Sequence, residues 1–417
     1  MPAPIRPVVL LGARLLDGRS PDAIADGVVV TDDQGRIAVA GPASATPIPK
    51  DAERIDASGL TVLPGIIDCH VHLALRLEPV HDRVQRSATD IVVRCLQAGR
   101  AFLAGGVTSV RYAGHAPAGI TRAFATGAFP GPRTQVSCMP LSQTGGHGDD
   151  WTPSGAIVAT EASDLPPGIA DGPDEVRRAT RLQIRAGADW IKVHATGGVW
   201  SAADFPDASQ FTVDEIRAIV EEAAAAGIHG TLAHAEGTAG IKNALRAGIT
   251  SIEHGDLIDD EGIDLMLERD VPLVPTFNIN FELMDEDRIA RGDVPPWAVE
   301  KMRYLFEHQQ RSFRHAVERG VRVVMGTDSF QGMYPPAELA HMSQYGLGPF
   351  RAIQAATTEA ARLLGLADEV GTLEAGKQAD LIAISGDPLA DPELWRDPAR
   401  IVFVMQGGRV VADRRGA

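Results

Sequence analysis

Across the middle of the chain, apolar runs of strand length alternate with helical stretches rich in Ala, Arg and Glu, and this alternation limits the fold more than any other feature. Eight runs can be counted: "GIIDCHVHL", "VTSVRYAG", "RTQVSCMPL", "DWIKVHATGG", "IHGTLAHAEG", "ITSIEHG", "VPLVPTFNI" and "VRVVMGTDS". Between them lie helical segments such as "SATDIVVRCLQAGRAFLAGG", "PDEVRRATRLQIRAG", "TVDEIRAIVEEAAAAG", "GTAGIKNALRAG" and "KMRYLFEHQQRSFRHAVERG". Such alternation marks repeated βα units and a parallel sheet. Eight units over about 300 residues fit a (β/α)8 TIM barrel, an α/β fold whose active site lies where the strands end. A doubly wound open sheet is the alternative, but no GxGxxG follows the first run.

The two ends of the chain have a different texture. Residues 7 to 62 read as short β-rich segments, with "DDQGR" as a hairpin turn, and "GTLEAGKQADLIAISGDPL" and "IVFVMQGGRVVAD" near the other end match them. Residues 1–62 and 366–417 are therefore expected to form one small, discontinuous β-sandwich domain beside a catalytic barrel of residues 63–365. Residues 144 to 168, long and rich in Gly, Pro and Ser, read as a lid-like loop over the site.

Composition excludes several kinds of partner. The chain of 417 residues has 44% hydrophobic content, enough for a sizeable core, and a net charge of -16. Nucleic acids and anionic membrane surfaces need clustered Lys and Arg, and no basic face is visible. No stretch of about 18 apolar residues occurs and the opening apolar run is too short for a secretory signal, so a cytoplasmic location is expected. The three cysteines, Cys69, Cys95 and Cys138, are widely spaced, suit a reducing compartment and form no CxxC zinc site. A small-molecule substrate is the expected partner; a homo-oligomer stays open.

Chemistry collects at the ends of the eight runs. "LPGIIDCHVHL" carries His70 and His72, which share one face of a strand because successive side chains alternate, and Asp68 shares that face while Cys69 faces away. Two imidazoles so placed can chelate one ion. Other runs end in Lys192 and His194, in His234, in His254 and in Asp328. A structural reading must excuse each of these polar residues separately. Lys192, among apolar neighbours, needs a partner or a chemical change, since burying its charge is costly. It could pair with an acid, act as a nucleophile, or take up CO₂ as a carbamate able to bridge two divalent ions.

Together, "LPGIIDCHVHL", "GVTSVR", "DWIKVHATGG", "HAEG", "SIEHGD", "GTDS" and "GTLEAGKQADLIAISGDPL" resemble the amidohydrolase superfamily over almost the whole chain. "GPRTQVS", "TGGHGD" and "IKVHATGG" are similar to its binuclear zinc dipeptidases of Xaa-Pro or Xaa-Arg bonds and to ochratoxin-type amidases. The resemblance implies two divalent ions, zinc being expected. His70, His72 and Asp328 would hold one ion, His234 and His254 the other, and carboxylated Lys192 would bridge them. It further implies that His147 helps to hold the substrate carbonyl.

The expected activity is hydrolysis of an amide bond, of dipeptide or N-acyl amino acid type, by a metal-bridging hydroxide, with Asp328 moving the proton. Three residues depart from the resembling pattern: Tyr112 in "VRYAG", His194 in "KVHATGG" and Glu236 in "HAEG". They are candidate substrate contacts that put dipeptide specificity in question, and Asp149 and Asp150 could favour a cationic side chain. Alternatives are hydrolysis of another C–N bond, as in a carbamate, urea or lactam, and a mononuclear deaminase of the same superfamily. The loops that would choose among them are residues 141 to 168, 199 to 211 and 278 to 299.

Overall fold

In a computed structural model, the chain is described at residues 5–77, 82, 85, 87–151, 154–155 and 164–416. Strands β1 (Val8–Leu15), β2 (Ile24–Thr31), β3 (Ile37–Pro42), β4 (Glu53–Asp56) and β5 (Leu60–Pro64) come first. The central strands are β6 (Ile66–His72), β7 (Val107–Tyr112), β8 (Arg133–Val136), β9 (Trp190–His194), β10 (Gly230–Ala235), β11 (Ser251–His254), β12 (Leu273–Val274) and β13 (Ser329–Phe330). Then follow β14 (Leu381–Ser385), β15 (Ile401–Gln406) and β16 (Arg409–Asp413).

The chain ends do meet, as the sequence texture implies. β5 pairs in parallel with β1 and antiparallel with β14, so strands from both ends share one sheet of order β16-β15-β14-β5-β1-β2-β3, with β4 also on β1. "DDQGR" makes the turn between β2 and β3, with Asp32 N–H donating to Arg36 O. Hydrogen bonding thus joins these eight strands into one continuous sheet. The sheet is not isolated from the centre: Leu63, Ile382, Ile384, Ile401 and Val404 join the largest hydrophobic cluster.

The central strands are parallel, but they form two four-stranded sheets, β13-β6-β7-β8 and β12-β11-β10-β9, instead of one uninterrupted ladder. Single bridges link the two, Leu141 to Val193 and Leu273 to Val323. Backbone chemistry explains both weak seams. β8 stops where Cys138 takes a left-handed φ of 54° and Pro140 follows. β12 is two residues long because Pro272 and Pro275 flank it, and neither has an N–H to give to a ladder. The run "VPLVPTFNI" accordingly continues as the helix Phe277–Leu283, and much of the expected loop 278–299 is helical.

The helices between strands begin and end where local chemistry directs. Ser87 and Thr212 form capping boxes with Asp90 and Glu215 at the starts of Ala88–Ala104 and Val213–Ala225. Gly187, Gly248 and Gly320 take left-handed φ angles that end Gly172–Ala186, Thr238–Ala247 and Pro296–Arg319. These helices bury apolar residues toward the core, which leaves the strand ends as the place where polar groups converge. Of the expected lid 144–168, residues 152–153 and 156–163 lie outside the described residues.

Candidate active site

One cavity opens at the carboxyl ends of the central strands. It is lined by His70 and His72 from β6, Lys192 and His194 from β9, His234 from β10, His254 from β11, and Asp328 just before β13. His147 and Glu236 also reach it. His254 and Asp328 hold left-handed φ angles of 72° and 51°, uncommon for residues with a Cβ. Such backbone costs energy and persists where packing and hydrogen bonds over-determine it, as at functional sites.

His70, His72 and Asp328 form a compact donor group, their ligand atoms all within 4.8 Å of one another. Asp328 Oδ1 lies 3.2 Å from His72 Nε2 and 3.5 Å from His70 Nε2. The other ring nitrogens are occupied. His72 Nδ1 meets Gly114 O at 3.2 Å, and because a carbonyl only accepts, Nδ1 carries the proton and Nε2 keeps its lone pair for the cavity. By the same logic His234 Nε2–H donates to Gly197 O at 2.9 Å, which leaves Nδ1 with the lone pair. His70 Nδ1 bonds Glu253 Oε2 at 2.7 Å, and His254 Nδ1 meets Thr276 Oγ1 at 2.7 Å. Each of the four imidazoles therefore has one nitrogen held from outside and one to offer, the arrangement that orients metal-binding histidines.

Electrostatics agree with that use. Burial, then neighbouring positive groups, hold His70, His72, His234 and His254 well below the usual histidine range, so these rings are neutral. Lys192 is 2% exposed, and burial pushes its ammonium down to about 8 against the pull of Glu253 and Asp328. Burial raises the Asp328 carboxyl to about 7, opposed by Lys192. Neutral imidazoles, a carboxyl and a lysine that sheds its proton readily are a donor set suited to divalent ions.

Behind the histidines sits a buried ion pair that sequence reading did not single out. Glu253 accepts from His70 on one oxygen and from Arg111 Nη2 at 2.8 Å on the other. Arg111 also donates to Cys69 O at 2.6 Å and lies 4.8 Å over the Trp190 ring. The available signal was a charged residue inside an apolar strand, "SVRY" and "SIEH", which a fully buried parallel sheet does not tolerate unpaired.

His147 approaches from the loop that follows β8. Its ring stacks on His234 at a centroid distance of 4.2 Å and meets the His194 ring edge-on at 5.0 Å. Gly198 packs against both His147 and His234: a Cβ there would fall 2.4 Å from His147 Cε1 and 2.7 Å from His234 Nε2. His147 Nδ1 lies 2.9 Å from Ser201 Oγ and 3.5 Å from Asp204 Oδ2. Burial works against the charge of Asp204, but hydrogen bonds and charge from His147, Ser201 and Lys301 prevail and hold its carboxyl well below the usual range.

The three departures from the resembling pattern fare differently. His194 and Glu236 line the cavity, each buried with one polar atom unpartnered: His194 Nδ1 and Glu236 Oε2. Burial, reinforced by the charges of Asp256 and Asp204, raises the Glu236 carboxyl well above its usual range. Tyr112 does not line it. Its hydroxyl accepts from Ala74 N–H, beneath the turn that follows β6. Asp150 is among the lining residues; Asp149 instead accepts from Gly145 N–H at 2.8 Å.

Known proteins share this fold. The amidohydrolase family profile matches residues 61–411. Ochratoxinase of Aspergillus niger is 34% identical over 366 residues, 84% of this chain and 75% of that protein. Among solved structures, a Xaa-Pro dipeptidase with methionine bound in its active site superposes with a TM-score of 0.88 at 30% identity, covering 97% of this chain and 99% of the other. The A. niger ochratoxinase structure gives 0.82 at 29% identity, covering 98% and 96%. A match that runs from β5 to β16 takes in the C-terminal strands of the terminal sheet as well as every strand that carries a candidate ligand, and on that evidence the chain belongs to the amidohydrolase family.

Proposed function

We infer that this chain is a metal-dependent hydrolase of amide bonds whose leaving group is an amino acid or a similar amine. The observation that carries the reading is the convergence of four neutral imidazoles, each held on one nitrogen, with Asp328 and Lys192 in one cavity. In this reading His70, His72 and Asp328 would hold one ion, and His234 and His254 would hold the second. Lys192, carboxylated by CO₂, would be the further ligand of the pair; its depressed ammonium supports this, because the neutral amine is the form that reacts. Bound zinc would supply Lewis acidity, acidifying water and polarising the scissile carbonyl.

The chain's own groups do the rest. Asp328 takes the proton from the attacking water and passes it to the departing nitrogen as the C–N bond breaks. His147 directs Nε2 at the carbonyl oxygen, where a donor gains strength as negative charge develops. Glu236 and His194 face the substrate, and the unpartnered Glu236 oxygen favours a substrate that offers a polar partner there. Tyr112 acts from beneath by fixing the turn after β6.

The test is a panel of Xaa-Pro and Xaa-Arg dipeptides, N-acyl amino acids, carbamates, ureas, lactams and aminated heterocycles, run with zinc-loaded protein whose metal content is measured. Two ions per chain and turnover concentrated in the amides are expected. One ion per chain with release of ammonia from a heterocycle would replace this reading with the deaminase.

A further inference from the structure

The loop between β9 and the helix Val213–Ala225 contributes no candidate metal ligand, yet it is built around the His147 ring. Asp204 lies at its centre, its side chain 5% exposed. Its Oδ1 accepts from Ser201 Oγ–H and from Lys301 Nζ at 3.3 Å, and its Oδ2 accepts from Gln210 Nε2 at 3.0 Å. Gln210 Oε1 in turn accepts the main-chain N–H of His147 at 2.9 Å. The backbone and the ring of His147 are thus tied to the same carboxylate. Lys301, reaching in from the helix Pro296–Arg319, also donates to Gly198 O and Ser201 O, so the loop is pinned from behind.

These bonds fix where the His147 protons are. Ser201 gives its hydroxyl proton to ionised Asp204, which can only accept, so the Ser201 oxygen must accept from His147 Nδ1–H. Nε2 is then the nitrogen turned to the cavity. A ring that holds Nδ1–H toward Ser201 and also offers Nε2–H to a substrate carbonyl carries both protons, and the carboxylate 3.5 Å from Nδ1 is the charge that balances it.

We propose that Asp204, acting through Ser201 and by direct contact, is the positioning residue of His147: it sets the ring's orientation and proton arrangement so that Nε2–H can face the scissile carbonyl. The proposal rests on the reading of His147 as a carbonyl-facing group. Its own content is the coupling between the two residues.

Asp204→Asn keeps the shape, but its amide N–H₂ must face either His147 and Gln210 or Ser201 and Lys301. With metal content verified as unchanged, kcat for the fastest amide of the panel should fall by roughly 10²-fold, near the loss expected for an oxyanion donor, while KM moves little. In a His147→Gln background the same substitution should change kcat less than about threefold, since positioning has nothing left to act on. Ser201→Ala, which disturbs the loop less, should show a smaller loss that likewise vanishes in that background. An equal loss with and without His147, or Asp204→Asn within a few-fold of wild type, would overturn the proposal. If His147→Gln alone is as active as wild type, the carbonyl-facing reading fails instead.

A second readout needs no substrate. In zinc-loaded protein labelled with 15N-histidine, the signals lost in His147→Gln identify that ring, and they should report Nδ1 protonated in the wild type and a changed pattern in Asp204→Asn. An identical His147 pattern in both proteins would overturn the proposal by itself.

Discussion

Asp328 combines two demands in one carboxyl. It completes the compact donor group with His70 and His72, and its left-handed backbone turns it toward them at the end of the central strands. Asp328→Asn keeps one coordinating oxygen but cannot accept a proton. Metal should therefore largely stay while turnover falls by the roughly 10²–10⁴ typical of general acid–base groups; near-normal turnover with both ions verified would send the search for the proton carrier to Glu236 and His194. Glu253 makes a different point. Glu253→Gln keeps the shape but removes the charge between His70 and Arg111, so metal affinity should drop about 10–100-fold in a competition titration. Glu253→Ala leaves buried Arg111 unpaired and should cost about 3–5 kcal/mol in denaturant unfolding. The ligand candidates were legible because a histidine or aspartate at the end of an apolar run has few structural excuses. Glu253, Arg111 and Asp204 were not, because each acquires its meaning from a partner distant in sequence or on another loop.

Among the elements, the strands were legible from their apolar runs and their seams were not. A run such as "VPLVPTFNI" carries enough apolar residues for a full strand, but two prolines and the left-handed φ of 53° at Thr276 stop the ladder and start a helix. That break is used: Thr276 holds His254 Nδ1, so the interruption supplies a contact that a regular strand would have carried past. The loop at 197–204 is the other element whose role no periodicity announces. Gly198 is its point of closest approach, and Gly198→Ala should push His147 and His234 apart from the loop. Because His234 also bonds Gly197 O, the variant should lose metal as well as turnover. Elemental analysis after dialysis against a weak chelator checks it, and full metal retention would mean that the loop can retreat without disturbing His234.

For the molecule as a whole, the buried acids make stability depend on pH. Asp68 and Asp328 are pushed up to about 7, and Asp256 and Glu338 to about 8, in each case first by burial. A carboxyl whose folded pKa lies above its ordinary value contributes stability that is present below that ordinary value and is lost as pH rises through the folded one. The acids alone would weaken the metal-free fold between about pH 4 and pH 8, but His70, His72, His194, His234 and His254, held well below the histidine range, act in the opposite sense up to about pH 6.5, so a net weakening is expected only between about pH 6.5 and pH 8. Ion binding requires ionised Asp328, so it should stabilise more as pH rises. The fall in Tm caused by a chelator should accordingly be larger at pH 8 than at pH 6 in scanning fluorimetry, and equal falls would show that Asp328 does not give up a proton on binding. Among the described residues, no helix is long and apolar enough to cross a membrane.

The pairing of β5 with both β1 and β14 has a consequence for the birth of the protein. β5 runs directly into the strand that carries His70 and His72, and its second neighbour emerges from the ribosome only after every central unit has been made. At about 5–20 residues per second, that wait lasts tens of seconds. Throughout it, the edge of β5 that will receive β14 has an unpaired row of backbone groups, a template for stray strands. Nascent chains stalled before residue 381 should thus be the species that chaperones hold, and release of the last three strands should be the event that lets the sheet close.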